Sequence, residues 1–142
     1  MQHVNSSATI RRLLTSPATW AVVGLSANTD RVAYGVAEFI RDRLGMRIVP
    51  INPRAEAWQG EPGYARLADV PGPIDVVDCF VNSKRVGGVV DDAIAERDHL
   101  GVGAVWLQLG VVDETAAARA EAAGLDVVMD ACPAIEGPRL GR

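Results

Sequence analysis

Hydrophobic positions along the chain fall into five short runs, separated by segments with a helical period. The runs cover residues 20–25 (WAVVGL), 47–51 (RIVPI), 74–81 (IDVVDCFV), 104–109 (AVWLQL) and 126–129 (DVVM). Each is brief and rich in β-branched residues, as expected of strands buried on both faces. Between them the spacing lengthens. Val36, Phe39, Ile40 and Leu44 share one helical face, as do Val86, Val89, Val90, Ala93 and Ile94. Residues 114–123 are alanine-rich and favour a helix intrinsically. Ser83 and Asp113 are predicted N-caps, and Gly45, Gly101 and Gly124 stand where a left-handed residue ends a helix. A short helix over residues 7–14 precedes the first strand and stops at Ser16-Pro17.

Strand and helix in alternation predict parallel βαβ units: an α/β, doubly wound, mainly parallel five-stranded sheet in a three-layer αβα sandwich. The expected strand order is 3-2-1-4-5. Residues 1–142 read as one domain, with 1–17 an N-terminal arm bearing the short helix and 131–142 a C-terminal loop. One connection breaks the rhythm. Residues 52–73 hold Pro53, Gly60, Pro62, Gly63, Pro71, Gly72 and Pro73, so only 65–69 is expected to make a helical turn. A loop of that length in a small domain is often functional.

Composition narrows the function. The 142 residues include 14 Lys and Arg against 18 Asp and Glu, a net charge of −4, and only 5% aromatics. This disfavours a nucleic-acid platform, which needs a basic face and stacking rings. Two cysteines, Cys79 and Cys132, are too few for a disulfide scaffold and lack zinc-ligand spacing. The N-terminus has no signal-peptide pattern and no run approaches the length of a membrane helix, so a cytoplasmic protein is expected.

In open parallel sheets, ligands bind beyond the C-terminal strand ends, where strand order reverses. Four segments reach that edge: 24–31 (GLSANTDR), 52–54 (NPR), 80–83 (FVNS) and 108–110 (QLG). In the first, Gly24 permits close backbone approach, the next helix offers free N–H groups, and Ser26 and Arg31 add a donor and a charge, as a phosphate requires. The full G-x-G-x-x-G pattern is absent, and a plain βα turn is the rival reading. The second segment ends without the carboxylate that NAD-binding units use for ribose. Arg54 there suits an extra ribose phosphate, as in NADP or coenzyme A; a solvated arginine explains it equally well.

Catalytic readings are weaker. His3 and His99 are expected in solvent, Cys79 in the core, and Cys132 in the C-terminal loop, where a reactive thiol has no support. Asp78 is the odd residue, an acid within an apolar strand, expected to have a local partner. No nucleophile elbow, metal cluster or Walker lysine is found.

These stretches, AVVGLSANTDRVAYGV, RIVPINPRAE, GEPGYARLADVPGPIDVVDCFVNSKRV, AVWLQLGVVDE and VVMDACPAIEGPRL, closely resemble the small CoA-binding protein family of stand-alone Rossmann domains. That fold also forms the CoA-binding domain of the succinyl-CoA synthetase α subunit and of ADP-forming acyl-CoA synthetases. The likeness spans roughly residues 18–140. It implies a cofactor, coenzyme A or an acyl-CoA, and roles for named residues. Gly24, Leu25 and Ser26 would hold the diphosphate with help from Arg31. Asn52, Pro53 and Arg54 would meet the adenosine 3′-phosphate. Phe80, Val81 and Asn82 would flank adenine or ribose, and Gln108 and Gly110 would border the pantetheine arm. Cys132-Pro133 resembles the Cys-Pro of the synthetase C-terminal loop. Tyr34 departs from the serine frequent there, and the synthetases' phosphorylated histidine has no counterpart in His3 or His99.

The resulting expectation is a binding protein for CoA or acyl-CoA that carries out no catalysis. The rivals are an NADP-dependent or CoA-transferring enzyme, and an orphan subunit that docks an acyl-CoA synthetase partner. Homo-oligomer formation is also open; nucleic acid and membrane partners are not expected.

Overall fold

All five strands run parallel in one sheet of the computed structural model, which describes residues 2–142. They are β1 (Thr19–Val23), β2 (Arg47–Ile51), β3 (Val76–Cys79), β4 (Ala104–Leu107) and β5 (Asp126–Val128). Their alternation sorts side chains into two cores. Ala21, Val77, Cys79, Val105, Leu107 and Val127 face one side, where α3 (Val86–Ala95), α4 (Arg97–Leu100) and α5 (Glu114–Ala122) cover them. Trp20, Val22, Val76, Trp106 and Val128 face the other, beneath α1 (Ser7–Thr15), α2 (Val32–Asp42) and α6 (Pro133–Arg139). Both faces are apolar because both are covered, which is why the strands read as continuous hydrophobic runs.

The sheet order is β2-β1-β3-β4-β5, not the expected 3-2-1-4-5. Ala21 of β1 pairs with Val49 of β2 on one side and Val77 of β3 on the other. The physical reason lies in β2 itself. Pro50 has no N–H to give to a ladder, so β2 suits an edge and not an interior position between β1 and a third strand. Beyond it only an isolated bridge follows, with the Tyr64 N–H donating to the Pro50 carbonyl at 3.0 Å. The chain therefore leaves β1 first for the edge and then, after β2, crosses back past it to begin β3.

Element boundaries follow local chemistry. The Asp113 side chain caps α5 by accepting from the Ala116 N–H at 2.9 Å, and Gly45, Gly101 and Gly124 all take positive φ. Ser83 does not cap α3. No side chain caps its first residue; Asn82 closes the turn ahead of it, its Oδ1 accepting from the Lys84 and Arg85 N–H groups at 3.1 Å each. Ser83 Oγ instead accepts from Val112 N–H at 2.9 Å. The long connection has its helical turn, a 3-10 turn at Leu67–Asp69, and tucks Trp58 fully into the core against Tyr34.

Two expectations fail at the termini. Residues 131–142 are not a loop: α6 occupies Pro133–Arg139, started by a proline at its first turn and packed against α2 and α1, with Ala134 and Leu140 partly buried. His3 is not in solvent. Its side chain is 9% exposed, with Nδ1 2.7 Å from Glu121 Oε1 and Nε2 2.9 Å from Asn5 Oδ1. Asn5 exchanges hydrogen bonds with both backbone groups of Met129, so the arm is laced to the end of β5. His99 is half exposed, as expected.

Candidate functional site

Because β2 and β3 leave β1 on opposite sides, the chain diverges at the C-terminal end of β1, and a cleft of about 760 Å³ opens there. Its base is backbone. Gly24 N–H donates to the Ile51 carbonyl at 2.8 Å and Phe80 N–H to the Val23 carbonyl at 2.9 Å, tying three strand ends together. Gly24 holds φ +102°, and a Cβ on it would stand 2.6 Å from the Phe80 carbonyl oxygen. No other residue fits that turn.

The turn then feeds α2. Ser26 Oγ accepts from Asn28 N–H at 3.2 Å and Asn28 Oδ1 from Asp30 N–H at 3.0 Å. Arg31 occupies the N-cap position, and no side chain satisfies the first N–H groups of α2. An uncapped helix start beside a Cβ-free turn presents unsatisfied donors and a positive dipole end.

Asn52 fixes the second wall. It is 5% exposed, and its Nδ2 donates to the Leu25 carbonyl at 3.0 Å and the Glu56 carbonyl at 2.9 Å. Its Oδ1 accepts from Arg54 N–H at 3.2 Å and Glu56 N–H at 2.9 Å. One side chain thus clamps the β1 turn to the loop that carries Pro53 and Arg54. The third wall is Phe80, Val81 and Asn82 with the first turns of α3.

The structure brings Gly24, Ser26, Arg31, Asn52, Pro53, Arg54, Phe80, Val81 and Asn82 together around this cleft. Leu25, Gln108 and Gly110 are not among its lining. Leu25 is fully buried and meets the site through its carbonyl alone. Gln108 is buried at the end of β4, and the Gly110 N–H donates to Asp130 Oδ1 at 2.7 Å. The cause is strand order: β3, not β4, lies beside β1, so the β4 end is one strand removed.

The sequence reading missed a further set of lining residues: Glu56, Arg66, Leu67, Arg85, Val89 and Asp92. Arg85, Val89 and Asp92 fall on one face of α3, a helical spacing visible in the sequence, but only the tertiary fold turns that face toward the cleft. Four arginines, Arg31, Arg54, Arg66 and Arg85, and two acids, Glu56 and Asp92, line it, so this acidic protein has a cationic cleft. Burial and the neighbouring Asp91 push the Asp92 carboxyl above its ordinary range, while Arg66 pulls it down.

Residues 18–138 match the sequence profile described as the CoA binding domain. The chain belongs to the CoA binding domain family. This CoA binding domain is 34% identical over 127 residues to protein YneT of Bacillus subtilis (strain 168), covering 89% of this chain and 90% of that one. It is also similar, at 30% identity over 71 residues, to the acetate–CoA ligase (ADP-forming) II subunit alpha of Pyrococcus furiosus. That match covers 50% of this chain and 16% of the ligase subunit. Among solved structures, a protein from Pyrococcus horikoshii OT3 superposes with a TM-score of 0.87 at 31% identity, covering 100% of both chains.

Other titratable groups of this CoA binding domain lie away from the cleft. Asp78 is completely buried on β3, and neither carboxylate oxygen has a hydrogen-bond partner of good geometry. It does not have the local partner expected of it, and burial pushes its carboxyl well above the usual range. Cys79 is core, its thiol also pushed up by burial. Cys132 is buried at the N-cap of α6 and is not a loop thiol. Tyr34, where a phosphate-side hydroxyl was in question, is turned to the long loop, its hydroxyl accepting from Gln59 Nε2 at 2.9 Å. No helix among the described residues is long and apolar enough to cross a membrane.

Proposed function

We propose that the cleft binds coenzyme A or an acyl-CoA and that the protein's task is binding without a bond-making step. One observation carries this reading: the Gly24 turn and the uncapped start of α2 open into the same cleft as Arg54 at the end of β2. Coenzyme A presents a diphosphate and a separate ribose phosphate. Two anion-binding features on neighbouring strand ends suit that pair of charges.

In this reading, Ser26, Arg31 and the backbone N–H groups of the turn hold the diphosphate, and Arg54 holds the 3′-phosphate. Asn52 acts as the positioning residue that keeps the two at a fixed separation. Phe80, Val81 and Asn82 flank the nucleoside. The fit is physical. The volume is that of a pocket for a small organic ligand, a side chain at Gly24 would collide with the Phe80 backbone and displace the turn that opens the cleft, and the lining is cationic.

Calorimetric titration of the full chain with coenzyme A, 3′-dephospho-CoA and NADP⁺ at low salt tests the proposal. Heat and a thermal shift are expected with coenzyme A, with weaker binding of the dephospho form. Silence toward coenzyme A at millimolar concentration would refute it, and tighter binding of NADP⁺ would favour a reductase instead.

The similarity to a ligase alpha subunit supports a second reading, in which the protein docks an acyl-CoA synthetase partner. Leu109, Val112 and Ile135 are exposed apolar side chains on elements that follow β4 and β5, which agrees with it. Co-purification of a synthetase subunit with the native protein is the corresponding test.

A further inference from the structure

The cleft wall made by the 3-10 turn and α3 has a chemistry of its own. α3 contains two adjacent glycines, Gly87 and Gly88, although glycine is a poor residue for a helix interior. Packing accounts for Gly87: a Cβ there would lie 3.3 Å from Asp113 Oδ2 and 3.4 Å from Arg119 Nη2. It does not account for Gly88, which lines the cleft and where a Cβ would meet nothing within 4 Å. The bare backbone at Gly88 is therefore an open step in the cleft lining, with room beside it for a side chain that is not there.

The surroundings of that step are specific. Buried Leu67 and partly buried Val81 and Val89 give it aliphatic flanks. Asp92 lies one helical turn past Gly88 on the same face of α3. Its neighbour Asp91 is engaged elsewhere, bonded to Arg119 Nε at 3.0 Å. Arg66, from the other side of the slot, is close enough to act electrostatically on Asp92. An aliphatic slot with an open floor suits the face of a planar ring, and a carboxylate at its edge suits an N–H donor on that ring.

We propose that the Gly88 step seats the base of the bound nucleotide and that Asp92 selects an amino-bearing purine by accepting a hydrogen bond from its exocyclic amine. This inference rests on the reading of the cleft as a coenzyme A site and deepens it. Adenine carries such an amine. Hypoxanthine has a carbonyl oxygen in its place, which a carboxylate repels. Asp92 is therefore a specificity residue for the base, separate from the arginines that meet the phosphates.

The test uses coenzyme A and its deaminated, hypoxanthine-bearing analogue, titrated calorimetrically into the full chain. The wild type should prefer coenzyme A by about tenfold, the size of one charge-assisted hydrogen bond. Asp92→Asn, whose amide can donate to the carbonyl, should lose or invert that preference. Gly88→Leu should fold at least as well as the wild type, since leucine favours a helix over glycine, yet weaken both compounds more than tenfold. Equal affinity of the wild type for the two compounds overturns the inference alone, as does a preference that survives Asp92→Asn or an unchanged affinity in Gly88→Leu. Failure of the wild type to bind either compound overturns the coenzyme A reading and this inference with it.

Discussion

The end of β1 and the end of β4 lie on the same edge of one parallel sheet, yet one opens into a cleft and the other is closed. At β1 the neighbours β2 and β3 are reached by connections that depart in opposite directions, and the cleft opens between them. At β4 the chain proceeds to β5 without reversal, and local bonds seal the end. Gly110 N–H is taken by Asp130, Val112 N–H by Ser83, and the Trp106 indole N–H by the Ala131 carbonyl at 2.9 Å. Both ends carry glycine after an apolar strand. Topology, not residue type, separates the open cleft from an ordinary βα turn.

Substitutions at the two ends should separate accordingly. The largest effect is expected at the open end, from Gly24→Val. The positive φ alone costs about 1–3 kcal/mol for a side-chain-bearing residue, and the new Cβ would clash with the Phe80 carbonyl. Thermal unfolding should drop and coenzyme A binding should vanish; a variant that binds as the wild type does would show that the phosphate is held elsewhere.

Next comes Asn52→Ala, which strips four hydrogen bonds from the clamp between the β1 turn and the Arg54 loop. Loss of a buried polar hub of this kind should cost about 2–3 kcal/mol, read by chemical denaturation, with affinity for coenzyme A falling further than stability predicts.

Asp78 probes the sheet between the two ends. Its folded-state pKa is raised, so the folded protein binds the extra proton and stability declines as pH rises from the unfolded value near 4 toward the folded one. Each unit of that rise corresponds to about 1.4 kcal/mol. Asp78→Asn, which cannot ionise, should lack this decline. Denaturation curves for the two proteins should diverge steadily above about pH 4, in favour of the variant; parallel pH profiles would mean the carboxyl is stabilised by a partner.

Arg54→Ala acts on the ligand alone. Arg54 is exposed, so unfolding should move by less than about 0.5 kcal/mol. Coenzyme A should bind about tenfold more weakly, with 3′-dephospho-CoA unaffected. The smallest effect is expected at the closed end. Gln108→Ala should change coenzyme A affinity less than about twofold, well under the tenfold that 1.4 kcal/mol represents. A larger loss would extend the ligand's path across β3 to β4.

Much of this was legible without coordinates, for a local reason. The strands, the helices and the Asp113 cap are set by side-chain period and by residues adjacent in the chain, and Gly24 followed by Ser26 before a helix is a motif of contiguous positions. Pro50 held the clue to strand order, since a missing N–H marks an edge, but the clue acts only once pairing is considered. The wall formed by Arg66, Arg85, Gly88 and Asp92 left no contiguous signal: it joins the middle of a long loop to one face of a helix about twenty residues later. α6 escaped notice because Pro133, Gly137 and Pro138 weaken helix propensity, and its stability comes from packing against α1 and α2.

By itself, then, the chain determined its alternating elements, their buried faces and the Gly24 turn after β1, because each depends on spacing within a few residues. Which strand lies beside β1, and hence which loops share a cleft, was decided only by tertiary structure. Pairing joins segments far apart in sequence, and their relative placement follows from packing both faces of the sheet at once.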